Sequence, residues 1–211
     1  MGYNSLGVNT TGANNVAVGD SALGANTTAA NNVAIGYQAL VTNTTGDQNV
    51  ALGAYALDAN TTASNNVAMG YGALGANTTG ALNIAVGKDT LGANTTGTRN
   101  VAVGSLALDA NTTNDFNTAI GYAALTTVDS GYNTAVGYVA LGLASTADSN
   151  TAVGYRAAYN TTTGGSNVAI GRAALDANTT GTENVAIGKD ALKDSTTASY
   201  NTAVGTLANE N

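Results

Sequence analysis

A glycine returns every 17 residues along this chain, and that fixed interval constrains the fold more than any single residue does. It stands at 2, 19, 36, 53, 70, 87, 104, 121, 137, 154, 171, 188 and 205, with only the step from Gly121 to Gly137 one residue short. Around it runs the motif N-V-A-V-G-x-x-A-L-x-x-N-T-T. Self-similarity at a short period marks a solenoid, in which each repeat is one coil stacked on its neighbours. The prediction is an all-β, parallel β-solenoid of about twelve coils, a single repeat domain over residues 1–211.

We number the repeat from the asparagine before the apolar triplet, so that Asn15 is position 1, Val16 position 2, Ala17 position 3, Val18 position 4 and Gly19 position 5. Position 4 is aliphatic throughout and position 2 is mostly Val. Residues two apart on a strand share a face, so positions 2 and 4 are expected to point into the coil, with Leu at position 9 as a second anchor. Two short strands per coil would then enclose a narrow core. The asparagines of position 1 should stack into a column in which each side-chain amide meets the next. At ~4.8 Å per strand, a dozen coils give a body nearly 60 Å long.

Position 3 is alanine in every complete triplet: Ala17, Ala34, Ala51, Ala68, Ala85, Ala102, Ala119, Ala135, Ala152, Ala169, Ala186 and Ala203. If positions 2 and 4 face inward, these alanines face out, and an invariant small residue on an outer face implies packing against another body. The expectation is a parallel homotrimer joined along the alanine columns.

The motif Asn32-Val33-Ala34-Ile35-Gly36 resembles the head repeats of trimeric autotransporter adhesins, and the full 17-residue unit looks even more like repeats of tail-fibre-type proteins of phages and bacterial surfaces. The resemblance implies a left-handed parallel β-roll in each of three chains. It also implies a fibre, outside the cell or on a virion, that attaches to a host-surface glycan or protein receptor. Met1 would stand as a strand aliphatic, and the last coil lacks its leucine and N-T-T, so a piece of a longer fibre is expected.

Composition excludes several functions. Thirteen acidic against six basic residues give a net charge of −7, without the Lys/Arg stripe that nucleic acid requires. No apolar run approaches the ~20 residues of a membrane helix. Histidine and cysteine are absent, which removes triad chemistry and the usual zinc sites, so no enzyme, metal or cofactor is expected. Asp58, Asp109 and Asp176 share position 10, but the first two lie three coils apart, ~14 Å, beyond the ~10 Å of a paired-carboxylate site. Gly70-Tyr71-Gly72-Ala73-Leu74-Gly75 matches a dinucleotide fingerprint only in letters, because no helix is expected after it.

Three surface features carry the remaining possibilities. N-T-T begins at Asn9, Asn26, Asn43, Asn60, Asn77, Asn94, Asn111, Asn160 and Asn178, each formally a glycosylation sequon. A turn that recurs with the coil is the preferred explanation. The threonines raise ice binding as an alternative function, although adjacent threonines should give one outward column instead of a two-column lattice. Tyr122, Tyr138 and Tyr155 fall together at position 6 in the least regular stretch, where Thr118, Thr134 and Thr151 replace Val. A stacked tyrosine ladder there is the candidate ligand contact. The function expected is the structural or adhesive region of an attachment fibre, with a pure spacer shaft as the neighbouring alternative.

Overall fold

The computed structural model describes residues 2–209; Met1, expected to be a strand aliphatic, lies outside them. Twelve strands of three residues each follow one another along the described residues. They are β1 (Val16–Val18), β2 (Val33–Ile35), β3 (Val50–Leu52), β4 (Val67–Met69), β5 (Ile84–Val86) and β6 (Val101–Val103), then β7 (Thr118–Ile120), β8 (Thr134–Val136), β9 (Thr151–Val153), β10 (Val168–Ile170), β11 (Val185–Ile187) and β12 (Thr202–Val204). All twelve join in one sheet whose spatial order is the chain order. Pairing is parallel and joins equivalent residues, Val16 to Val33, Ala17 to Ala34 and Val18 to Ile35. The same register survives the short coil, where Thr118 pairs with Thr134. The chain is a parallel β-solenoid of about eleven complete turns between its first and last strands.

Each coil holds one strand, not the two expected, and the backbone dihedrals explain the difference. In the coil after β3, Tyr55, Leu57 and Asn65 hold left-handed φ values of 59°, 52° and 63°, and Gly53 stands at 141°. A chain that changes sense so often within 17 residues has no stretch left for a second extended run. Stacking continues nevertheless through the turns. The Leu57 N–H donates to the Ala73 carbonyl at 3.0 Å and the Thr61 N–H to Thr78 at 3.2 Å. Left-handed geometry costs a leucine about 1–2 kcal/mol, while complete burial of its side chain returns about 1.5–3 kcal/mol. Leu57, Leu74 and Leu91 are fully buried, so burial wins at position 9.

The core reverses the expected facing of the strand. Ala34, Ala51, Ala68 and the alanines below them are fully buried, whereas Ile35, Leu52 and Met69 at position 4 are exposed. Even in the terminal strands the alanine is the least exposed of its triplet. The columns from Ala17 to Ala203 therefore line the interior of their own coil and are not a seam between chains. The reason is steric. A lumen already holding the leucine of position 9, the alanine of position 8 and two asparagines leaves room for only a methyl group from the strand. Positions 2 and 4 carry side chains larger than a methyl group, and they go outside.

Two asparagine columns complete the interior. At position 1 the expected ladder is present: the Asn49 N–H donates to Asn32 Oδ1 at 2.9 Å, and Asn49 Nδ2 donates to the Ala63 carbonyl at 2.9 Å. The second column is position 12, the asparagine of N-T-T. Asn60 Nδ2 donates to Asn43 Oδ1 at 2.9 Å and to the Ala63 carbonyl at 3.1 Å. Buried amides persist because nearly every donor and acceptor finds a partner. The glycine of position 5 serves the same close stacking. A Cβ on Gly70 would lie 2.2 Å from the Gly87 carbonyl oxygen of the next coil.

Candidate functional surface

With the small residues inside, the outer face of the sheet carries the molecule's most unusual surface. Positions 2 and 4 project from every strand, and the exposed set includes Val18, Ile35, Leu52, Met69, Ile84, Ile120, Ile170 and Ile187. Parallel in-register pairing stacks them into two continuous columns that run the whole length of the sheet. At about 60 Å² exposed per side chain, twelve coils present on the order of 1,000 Å² of apolar surface, where a monomer rarely shows more than a few hundred. Sequence reasoning assigned these residues to the core. A usable signal was present, since position 4 varies among Val, Ile, Leu and Met, a spread in size that a lumen one methyl wide would not accept.

Aromatic side chains stand at the margins of this stripe. Tyr122, Tyr138 and Tyr155 form the expected ladder, with ring centroids 5.5 Å apart at each step and interplanar angles of 15° and 8°. Each ring is about half exposed. Because the rings face one another, the stack presents edges and hydroxyls along its length, and only the outer faces of Tyr122 and Tyr155 lie outside the stack for a sugar ring to cover. A second set went unrecognised in the sequence. Phe116 and Tyr132 stack at 5.2 Å with Arg99 over Phe116 at 5.4 Å, and Tyr37, Tyr55 and Tyr71 meet edge to face. Arg99, Phe116 and Tyr132 share one repeat position, just before the position-1 asparagine, where residue type varies widely, whereas Tyr55 stands one position later in its coil than Tyr37 and Tyr71 do in theirs, so neither set showed as a single-residue column.

The sequons are not a glycan column. Asn26, Asn43, Asn60, Asn77, Asn94, Asn111 and Asn178 are fully buried, their amides spent on the ladder. A glycan needs the nitrogen that these residues bury. Asn9, in the first coil, is exposed but its Nδ2 donates to the Gly12 carbonyl at 3.0 Å. Asn160 is half-buried and stands one residue early, so that Thr161 occupies the ladder position and accepts from Asn178 Nδ2 at 3.4 Å.

The threonine rows divide as expected. The first threonine of N-T-T turns its hydroxyl to the next coil, as Thr44 Oγ1 does to the Thr61 carbonyl at 3.1 Å, while the second, as at Thr45 and Thr62, is exposed. One outward threonine column per coil is not the paired lattice that ice binding uses.

The position-10 aspartates do not converge. Asp176 pairs with Arg156 at 3.2 Å. Asp58 and Asp109 are half-buried, and desolvation outweighs their backbone hydrogen bonds, holding both carboxyls above the usual carboxylate range. Desolvation first, then the neighbouring Tyr37 and Tyr71 phenols, pushes the Tyr55 hydroxyl up. Among the described residues no group of three acidic side chains is placed to hold a metal ion, and no helix follows Gly70–Gly75.

Compared with protein-family models, curated proteins and solved structures, the chain matches none.

Proposed function

We propose that this chain is a structural and adhesive segment of a homotrimeric extracellular fibre, in which three parallel copies bury their apolar stripes against one another. The observation that carries it is the continuous outward face of positions 2 and 4. A repeat stripe on the order of 1,000 Å² long-axis surface exceeds the ~800 Å² that each partner contributes to a standard interface. Its natural complement is a surface with the same repeat, which a second copy of this chain provides. The number three follows the resemblance of Asn32-Val33-Ala34-Ile35-Gly36 to adhesin head repeats. The mechanism is geometric: stacked coils supply length and stiffness, and equivalent faces on three copies supply multivalent contact with a host surface.

Light scattering on the purified chain at micromolar concentration tests this. The expected mass is three times that of one chain. The double substitution Leu52→Asp and Met69→Asp should leave the circular dichroism of the coil intact, since both side chains point outward, and should shift the mass to that of a single chain. A monomeric parent chain overturns the proposal.

A further inference from the structure

An apolar stripe that repeats every coil creates an alignment problem. Neighbouring copies that slide by one coil meet almost the same side chains again, so the stripe favours association without fixing which coil faces which. Coiled coils meet the same difficulty, and a polar residue at one core position resolves it by making misaligned pairings costly. Four of the twelve strands here carry such a residue. Position 2 is Thr118, Thr134, Thr151 and Thr202, against Val or Ile in the other eight. The strands concerned are β7, β8, β9 and β12, a spacing that no shift along the rod superimposes on itself.

We propose that Thr118, Thr134 and Thr151, with the tyrosine stack beside them, form a register key by which copies of this chain align coil for coil. The proposal rests on the assembly described above. The two features coincide in three of these four strands: β7, β8 and β9 are the strands whose coils carry the stacked Tyr122, Tyr138 and Tyr155. In the aligned assembly threonine hydroxyls lie opposite one another and have donors and acceptors within the seam. Shifted by one coil, Thr118 or Thr151 faces a β-branched aliphatic side chain of β6 or β10 and its hydroxyl is left against methyl groups. All three tyrosine edges, half exposed beside the stripe, meet another tyrosine only in the aligned arrangement; a one-coil shift leaves one of them opposite Ser105 or Arg172.

The chain contains no cysteine, so the alignment is readable by disulfide trapping. Two single-cysteine chains, Val86→Cys and Val103→Cys, place a thiol at position 4 of adjacent strands that pair in register. Co-refolded in equal amounts and oxidised, aligned copies give the 86–86 and 103–103 disulfides, and copies shifted by one coil give the mixed one. In the parent sequence the mixed product should be minor. With Thr118→Val, Thr134→Val and Thr151→Val in both chains it should rise about tenfold or more, the effect expected if the three hydroxyls together penalise a shift as much as one unsatisfied polar group does. Valine occupies position 2 in seven other strands, so the triple variant keeps the coil. The oligomeric mass, measured on the same samples, should not change. An unchanged product ratio at unchanged mass overturns the key and leaves the assembly standing. A monomeric mass for the parent chain overturns both.

Discussion

Individual side chains in this molecule are judged by a lumen one methyl group wide. Asn60 illustrates the stakes: its Nδ2 reaches Asn43 Oδ1 and the Ala63 carbonyl, and its Oδ1 receives Asn77 Nδ2 at 3.1 Å. Asn60→Ala should destabilise the chain by about 1–3 kcal/mol, because buried partners above and below lose a bond; urea unfolding measures it. Val139 is a β-branched residue held at a left-handed φ of 46°. Val139→Asn, which tolerates that geometry, should raise the melting temperature by the equivalent of about 1 kcal/mol, and a fall would count against the strain assigned to this position. Asp58 follows from its raised pKa. Ionisation is disfavoured in the folded coil, so the penalty is present above the folded pKa and fades as pH falls below the unfolded value. Asp58→Asn should therefore stabilise at pH 7, and the gain should vanish under strongly acidic conditions where both forms are neutral.

A coil as a unit was partly readable from its letters. The period, the glycine bend, the buried leucine and the position-1 amide column all followed from spacing and residue type. The facing of the strand did not, because alternation along three residues says which side chains go together but not which way they go. The decision lay with volume, and the invariant Ala between variable neighbours recorded it. Left-handed turns were equally hidden, since position 7 holds Ser, Gln, Tyr, Asp, Leu, Arg and Val at such φ values and shows no glycine signature. The second amide column breaks at the short coil and at the full-length coil after it. Val128 and Ala144 replace the ladder asparagine, and Asn111 Oδ1 is buried without a partner. The Thr95 N–H donates to the Thr112 carbonyl, whereas the Thr112 N–H has no such bond to the shortened coil. Hydrogen exchange at Thr112 should accordingly be at least about tenfold faster than at Thr95, reflecting local opening at this step. Equal protection would mean that the two coils separate no more readily than any others.

For the whole rod, near-identical coils that touch only their neighbours make stability a sum of local terms. Removal of one full period, residues 67–83, should preserve the strand register on either side and shorten the particle by about 4.8 Å, a change within reach of small-angle scattering on a rod this slender. Removal of 18 residues from the same place should cost more, because it leaves one 16-residue coil, a residue short like the step from Gly121 to Gly137. The tests of mass and alignment belong to this scale as well. A stripe of methyl groups brings copies together, while a few hydroxyls at unequal intervals decide how they meet.

The side-chain amides also give the rod a direction. In both columns the later asparagine donates to the earlier one, as Asn77 does to Asn60 and Asn49 to Asn32, and the position-12 run ends at the bare oxygen of Asn111. Aligned carboxamides polarise their neighbours, so each uninterrupted run carries a positive pole toward the amino terminus and a negative one toward the carboxyl terminus. Replacing an amide at the centre of a run should then weaken more bonds than the two it makes itself, and the valine at 128 ends the array, because Ala144, Thr161, Asn178 and Ser195 stand at the equivalent positions beyond it.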